Sequence, residues 1–300
     1  DCNFYIVTVP TPIFKNKRPN LSLIKKAFNI LKKYINPGDI VFLESTVYPG
    51  TTENICVPIL SSLNNLKFRK DFNVGYSSER INPGDKKHTL DKIKKVVAFK
   101  EINSLEKKKV LKVYKLVSKK IIYSNCIKDA ELSKLLENTQ RDLNIAFINE
   151  IKILCNKLKL NFNEVYRLAS SKWNFLKFQP GLVGGHCLPV DPYYLSFIGK
   201  KFGFKTKVTL SGRTTNEKMI TFYIDQIKQK FKKLNLKKND KILIAGLTYK
   251  QNTSDLRNSL AIKIYKNLKK IYKKIDGFDP NIFIDDAKKL KLKTELSNIT

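Results

Sequence analysis

The first 125 residues alternate short apolar runs with amphipathic stretches, and that rhythm leaves few folds open. "FYIVTVP" (4–10) reads as a buried strand and "LSLIKKAFNILKKYI" (21–35) as a helix, its apolar residues recurring at roughly 3.6 positions. The turn "NPGD" (36–39) leads into the strand "IVFLES" (40–45). A helix over 51–63 is expected to open at Thr51, with Glu53 placed favourably for the helix dipole. Strands at 72–77 and 94–99, a helix around 103–119 and a strand at 121–124 complete the series. Repeated β-α-β units with short turns demand a mostly parallel sheet with helices on both faces.

From about 128 to 160 the pattern becomes one long helix, of the kind that serves as a spine or a dimer interface. A less regular region holding a Gly/Pro-rich loop follows. After the linker "KKLNLKKND", a strand (241–249), a helix (256–270) and a strand-like stretch (274–280) begin another α/β unit. The expected fold class is α/β, in three parts. Residues 1–125 form an incomplete Rossmann-like parallel-sheet domain, 126–230 a central long-helix domain with the loop, and 231–300 the start of a second Rossmann-like domain. Both ends read as cut: the chain opens on Asp1 inside an apolar run, and its twelve glycines contain no GxGxxG. In a dinucleotide domain that turn lets backbone amides approach the pyrophosphate.

The formal charge of +32 raises the question of nucleic acid. Of the 58 basic residues 51 are Lys, scattered over helix positions beside many Asn and Ile, which reads as compositional drift on a tolerant surface. No helix-turn-helix, zinc-finger or RRM signature accompanies them. No run approaches the roughly 20 apolar residues of a membrane span, and no secretory signal pattern opens the chain. Five cysteines, odd in number and without a CxxC pair, suggest neither a disulfide framework nor a metal site, and fit a reducing cytoplasm. Cys2, Cys56, Cys126 and Cys155 lie in or beside apolar runs, where a thiol acts as a small hydrophobe.

Cys187 differs. It lies in "FQPGLVGGHCLPVDPYY" (178–194), after Gly184, Gly185 and His186 and four residues before Asp191. A thiolate is a strong nucleophile, the glycines leave room for a ligand beside the backbone, and Asp191 could orient a water or take a proton. The bland alternative is a turn with an incidental cysteine. In "ELSKLLENTQRDLN" (131–144), Lys134, Asn138 and Arg141 share one helix face, where ammonium and amide could stabilise an oxyanion; the alternative is a solvated polar face. "ESTVYPGTTE" (44–53) puts Thr46 just past a strand, and "YSSERINPGD" (76–85) does the same for Glu79 and Arg80, where open α/β sheets bind ligands. "GLTYKQNTSDLRNS" (246–259) places Lys250, Asp255 and Arg257 before a helix N-terminus, a spot suited to phosphate.

Taken in order, "VTVPTP", "ESTVYPGTTE", "YSSERINPGDKKH", "ENTQRDLNIAFINE", "PGLVGGHCLPVDPYYL" and "GLTYKQNTSDLRNS" resemble the UDP-glucose/GDP-mannose dehydrogenase superfamily. Their wording is closest to its bacterial UDP-N-acetylhexosamine 6-dehydrogenases of surface-polysaccharide pathways. The resemblance implies oxidation of a sugar C6 alcohol to a carboxylate by two hydride transfers to NAD. Cys187 would form first a thiohemiacetal and then a thioester. Lys134 and Asn138 would stabilise the oxyanion, Asp191 and Thr46 hold the water, and Glu79 assist hydrolysis. Arg141, Gly184, Gly185, His186 and Lys250 would bind substrate, and Val9, Pro10, Thr11, Thr46 and Arg257 the cofactor. A UDP-sugar substrate and a homodimer through the long helix are implied, with neither nucleic acid nor membrane as partner. Departures are Gln179, where a basic residue is common, and Leu188, where Ile is usual. UDP-glucose or GDP-mannose oxidation, and a non-catalytic sugar-nucleotide-binding relative, are the alternatives.

Overall fold

The computed structural model describes residues 2–82 and 84–295, with the backbone alone at Asn64. Pro83, within the "INPGD" motif, lies outside the described residues. The chain divides into two compact units. The first comprises residues 1–139 and 190–206, the second 140–189 and 207–300.

The first unit is built on a five-stranded sheet in the order β1 (Phe4–Val7), β2 (Ile40–Leu43), β3 (Asn73–Ser77), β4 (Lys94–Phe99), β5 (Lys120–Ser124). β1–β2, β2–β3 and β4–β5 pair in parallel, as the alternation predicts, whereas β3 and β4 run antiparallel. β2 and β3 are buried along their whole length, which is why "IVFL" is continuously apolar and shows no alternation. Gly75 in β3 is required by its neighbour: a Cβ there would lie 2.3 Å from the Phe42 ring. Phe42 in turn packs edge-on to Phe99 and Tyr114 in a core beneath one face of the sheet.

The helices of this unit are α1 (Ser22–Leu31), α2 (Val57–Asn64) and α3 (Ser104–Lys115), joined by the N-terminal part of α4 (Ile127–Lys157) and by α6 (Asp191–Lys201). Ile24 and Phe28 of α1, one turn apart, are both fully buried. They share a core with Leu60, Ile127, Leu135, Tyr194 and Ile198. Asn103 caps α3, accepting from the Glu106 amide at 2.9 Å. The helix expected over 51–63 starts differently. Residues Thr52–Cys56 form a π-helical turn before α2, and Thr51 is no cap, because its hydroxyl donates to the Tyr48 carbonyl.

The second unit holds the rest of α4 with α5 (Phe162–Ala169), α7 (Lys207–Lys233), α8 (Leu260–Lys269), α9 (Ile284–Leu290) and a parallel pair, β6 (Ile242–Ala245) and β7 (Ile275–Phe278). Its apolar core lies between α7, α8 and this pair, around Ile224, Leu247, Tyr265 and Leu268. The region expected to be irregular after residue 160 therefore contains α5, α6 and α7, the last of them 27 residues long. The face of α7 against α4 is polar: Arg213 donates to Asp142 at 2.5 Å, and Asn216 donates to the Asp142 carboxylate at 2.8 Å. Close approach is secured at Gly212, where a Cβ would meet Leu143 at 2.4 Å.

Candidate active site

In the first unit the parallel strands β1, β2 and β3 end on one edge of the sheet, and the polar residues that follow them gather there. After β1 come Val9, Pro10 and Thr11. The Val9 carbonyl accepts from the Ser45 hydroxyl at 2.5 Å, and the Thr11 carbonyl accepts from buried Tyr194 at 3.1 Å. After β2 come Glu44, Ser45 and half-buried Thr46, and after β3 come Ser78, exposed Glu79 and Arg80. Because β4 is antiparallel, it begins at this edge and brings Lys95 to it. That ammonium, only 2 % exposed, pairs with Glu44 at 2.8 Å and lies 3.7 Å from Glu79.

The N-terminal part of α4 supplies the rest. Glu131, Lys134 and Asn138 succeed one another at helical spacing on it. Glu131 is fully buried and accepts from the Gly50 amide at 2.5 Å, the Thr52 amide at 2.9 Å and the Thr52 hydroxyl at 2.7 Å. It thereby does for this helix start what Thr51 was expected to do. Lys134 is 7 % exposed, so the face it shares with Asn138 is no solvated surface. Asn138 donates to Asp191, the first residue of α6, at 2.5 Å. Burial raises the Asp191 carboxyl to about 7, against the opposing pull of the Asn138 hydrogen bond and the Lys134 charge. Glu131 is likewise pushed up to about 7 by burial, although its three donors favour the ionised form. Arg80 pairs with Glu137 on α4.

Three participants were given no role by the sequence: Lys95, which lies in no motif, and Glu131 and Tyr76, which open the stretches 131–144 and 76–85. The Tyr76 hydroxyl is buried with no hydrogen-bond partner among the described residues. Desolvation first, then the charges of Glu131, Asp191, Glu137 and Glu44, keep it protonated.

In the second unit the Cys187 loop is tied down at several points. Asn149 of α4 clamps Gly181 through both amide atoms, at 2.8 and 2.9 Å, and also donates to Asn216 at 2.8 Å. Gly185 has φ +88°, and a Cβ on it would meet the Tyr249 ring at 2.8 Å. A Cβ on Gly184 would lie 2.9 Å from the Asn258 carbonyl, and Asn258 donates to the Gly185 carbonyl at 3.2 Å. His186 Nε2 lies 2.8 Å from Asp255 Oδ2. Cys187 is exposed. Of the four cysteines read as small hydrophobes in or beside apolar runs, Cys56 and Cys155 are buried, while Cys2 is exposed and Cys126 partly so, which corrects that reading for the latter two.

Arg141 is exposed and falls in this second unit, and Lys250 is half-buried. Arg257 grips Asp255 through Nε at 3.0 Å and Nη2 at 2.8 Å. A cavity of about 320 Å³ near Asn73 and Glu106 contains none of the expected site residues. Among the described residues no helix is long and apolar enough to cross a membrane.

An α/β sheet with polar residues massed at the carboxyl ends of its parallel strands has the ligand-binding edge of a nucleotide-binding α/β protein. The chain belongs to the UDP-glucose/GDP-mannose dehydrogenase family: it matches the NAD binding domain over residues 1–118, the central domain over 128–218 and the UDP binding domain over 243–299. NAD is thus the cofactor of its fold. The turns 9–11 and 45–46, at the ends of adjacent parallel strands, fit one side of such a ligand.

A UDP-N-acetyl-D-glucosamine 6-dehydrogenase of Salmonella typhi is 46 % identical over 291 residues, 96 % of this chain and 68 % of that protein. One from Pseudomonas aeruginosa is 43 % identical, over 95 % of this chain and 68 % of that protein. Among solved structures, a UDP-D-ManNAc dehydrogenase from Pyrococcus horikoshii superposes with a TM-score of 0.81 at 31 % identity, covering 94 % of this chain and 66 % of that one. The chain spans about two thirds of the length of these relatives.

Proposed function

We propose that the protein is an NAD-dependent UDP-N-acetylglucosamine 6-dehydrogenase, converting the C6 alcohol of its sugar to a carboxylate for surface-polysaccharide precursors. The observation that carries this reading is the Lys134–Asn138–Asp191 group on α4 and α6, in which Lys134 and Asp191 are buried and burial raises the Asp191 carboxyl to about 7. NAD, when bound, accepts the hydride from C6. The remaining chemistry falls to the chain. The Lys134 ammonium and Asn138 amide stabilise negative charge on the C6 oxygen. The Cys187 thiolate adds to the aldehyde carbon, giving a thiohemiacetal; loss of its hydroxyl proton and of a second hydride, to a second NAD, would leave a thioester. Asp191, with Thr46, orients the water that attacks this carbonyl and takes up its proton, Glu79 assists, and the thiolate departs as the acid forms. Arg141, Gly184, Gly185, His186 and Lys250 surround the substrate, and Val9, Pro10, Thr11, Thr46 and Arg257 the cofactor.

The parts are those of the sequence reading: a dinucleotide domain over 1–125, a central domain over 126–230 and a nucleotide-sugar domain over 231–300. The protein works as a homodimer through α4, in the cytoplasm, where its thiol stays reduced.

The test is NADH production with UDP-N-acetylglucosamine, UDP-N-acetylgalactosamine and UDP-glucose in parallel, beside Cys187→Ala. About two NADH per sugar, lost in the variant, are expected from a four-electron covalent oxidation. Binding of these sugar nucleotides without turnover would favour a non-catalytic relative.

A further inference from the structure

The cysteine loop of the second unit is held by the segment between β6 and α8, and one of its fastenings is a side-chain pair. Asp255 Oδ2 lies 2.8 Å from His186 Nε2, immediately before Cys187 in sequence. A carboxylate only accepts, so Nε2 carries the proton and donates. Asp255 is itself fixed: its Oδ1 accepts the Arg257 amide at 2.9 Å, and the Arg257 guanidinium grips both oxygens at 2.8 to 3.2 Å. These donors, with His186, hold the carboxyl well below its usual range, so it is ionised throughout the neutral region. The imidazole also stands edge-on to Tyr249, the ring that Gly185 packs against. Backbone and side chain of residues 185 and 186 are therefore docked on one short segment, and the charged hydrogen bond is the strongest of these fastenings.

We propose that Asp255 is a positioning residue: through His186 it pins the loop so that the Cys187 thiol is presented in one arrangement, and Arg257, besides its place at the cofactor, orients Asp255. The functional half of this inference rests on the reading of Cys187 as the nucleophile.

The experiment compares Asp255→Ala, Asp255→Asn and His186→Leu with the parent protein by two measurements. Hydrogen exchange of the peptide spanning 181–189 reports the loop alone. Losing a charged hydrogen bond should speed its exchange by about tenfold in Asp255→Ala and His186→Leu, while peptides from β2 and β3 stay unchanged. Asp255→Asn keeps an acceptor oxygen and should restore most of the protection. Steady-state NADH production by Asp255→Ala should then show kcat lowered by about tenfold with KM for the UDP-sugar within about twofold, the signature of a misplaced reacting group; His186→Leu, which also removes a side chain placed against the substrate, is read by exchange alone. Unchanged exchange at 181–189 in both Asp255→Ala and His186→Leu would overturn the proposal, as would a loss confined to KM in Asp255→Ala. Turnover surviving in Cys187→Ala would instead remove the nucleophile reading and leave the exchange result to judge the latch. Should Asp255→Ala fail to fold, His186→Leu tests the same bond from its other end.

Discussion

Glu131 on α4 binds the amides of Gly50 and Thr52, so a carboxylate some 80 residues distant closes the turn that follows β2. The two amides and the Thr52 hydroxyl have no other route to water, since Gly50, Thr52 and Glu131 are all buried. Glu131→Ala strands these donors and should cost about 1–3 kcal/mol or more, the range for leaving one buried polar group unsatisfied. Glu131→Gln retains one acceptor oxygen and should cost less. Urea unfolding midpoints of the two variants measure the difference; equal losses would mean that the volume of the side chain matters and its hydrogen bonds do not.

Two carboxyls lifted by burial give the fold a definite pH dependence. Glu131 and Asp191 rise from ordinary values of 4.5 and 3.8 to about 7. A group whose folded pKa is raised binds its proton more tightly when folded. Its contribution is complete below the unfolded pKa and is lost as pH climbs through the folded one. Thermal stability should therefore decline between roughly pH 4 and 7 through these two groups. Asp191→Asn, neutral at every pH, should flatten that decline. A melting temperature that rises across the window equally in parent and variant would contradict the assignment.

The strength of the sequence reading followed the kind of face each element buries. β4 was placed to the residue at Lys94–Phe99, and α4 to within a few positions, because continuous or periodic apolar residues mark a core-facing backbone. The N-terminal half of α7 is hidden because Thr209, Arg213 and Asn216 are among its buried residues, and packing through hydrogen bonds leaves no apolar stripe there; its C-terminal half, with Ile220, Tyr223, Ile224, Ile227 and Phe231 at helical spacing in the core, was legible in the sequence. The antiparallel turn of β4 was equally hidden, since nothing local to "KKVVAF" tells its direction. That is why Lys95 went unseen: it reaches Glu44 and Glu79 only because β4 starts where β2 and β3 end. Lys134, Asn138 and Asp191 could be named from residue type and spacing; that Asn138 bonds Asp191 required the fold.

Gly75 of β3 is paired with Phe42 of β2, and the Phe42 ring occupies the space a side chain would take. Gly75→Ala should destabilise the first unit by about 1–3 kcal/mol, the usual cost of overpacking a dense core. Phe42→Leu frees that space at a cavity cost of its own, so the double variant should be less unstable than the two single losses combined. Additive losses in a denaturation series would show that the Phe42 ring is not what Gly75 accommodates.

Lys134 is expected to act twice, and the two actions can be read separately. As a cation beside the reacting oxygen it stabilises the transition state, so Lys134→Met should lower the plateau of kcat by about a hundredfold or more. As a neighbour of Asp191 it also holds that carboxyl down, second to the Asn138 hydrogen bond and against burial. Asp191 must be ionised to take a proton from water, so the parent rate should rise with pH through about 7. Without Lys134 nothing offsets burial but Asn138, and the acid limb of the pH–rate profile should move to higher pH. Asn138→Leu should move it the same way, with a smaller loss in plateau because the cation remains. A plateau that falls while the limb stays in place would confine Lys134 to the oxyanion and assign the limb to another group, with Glu131, also near 7, the first to examine.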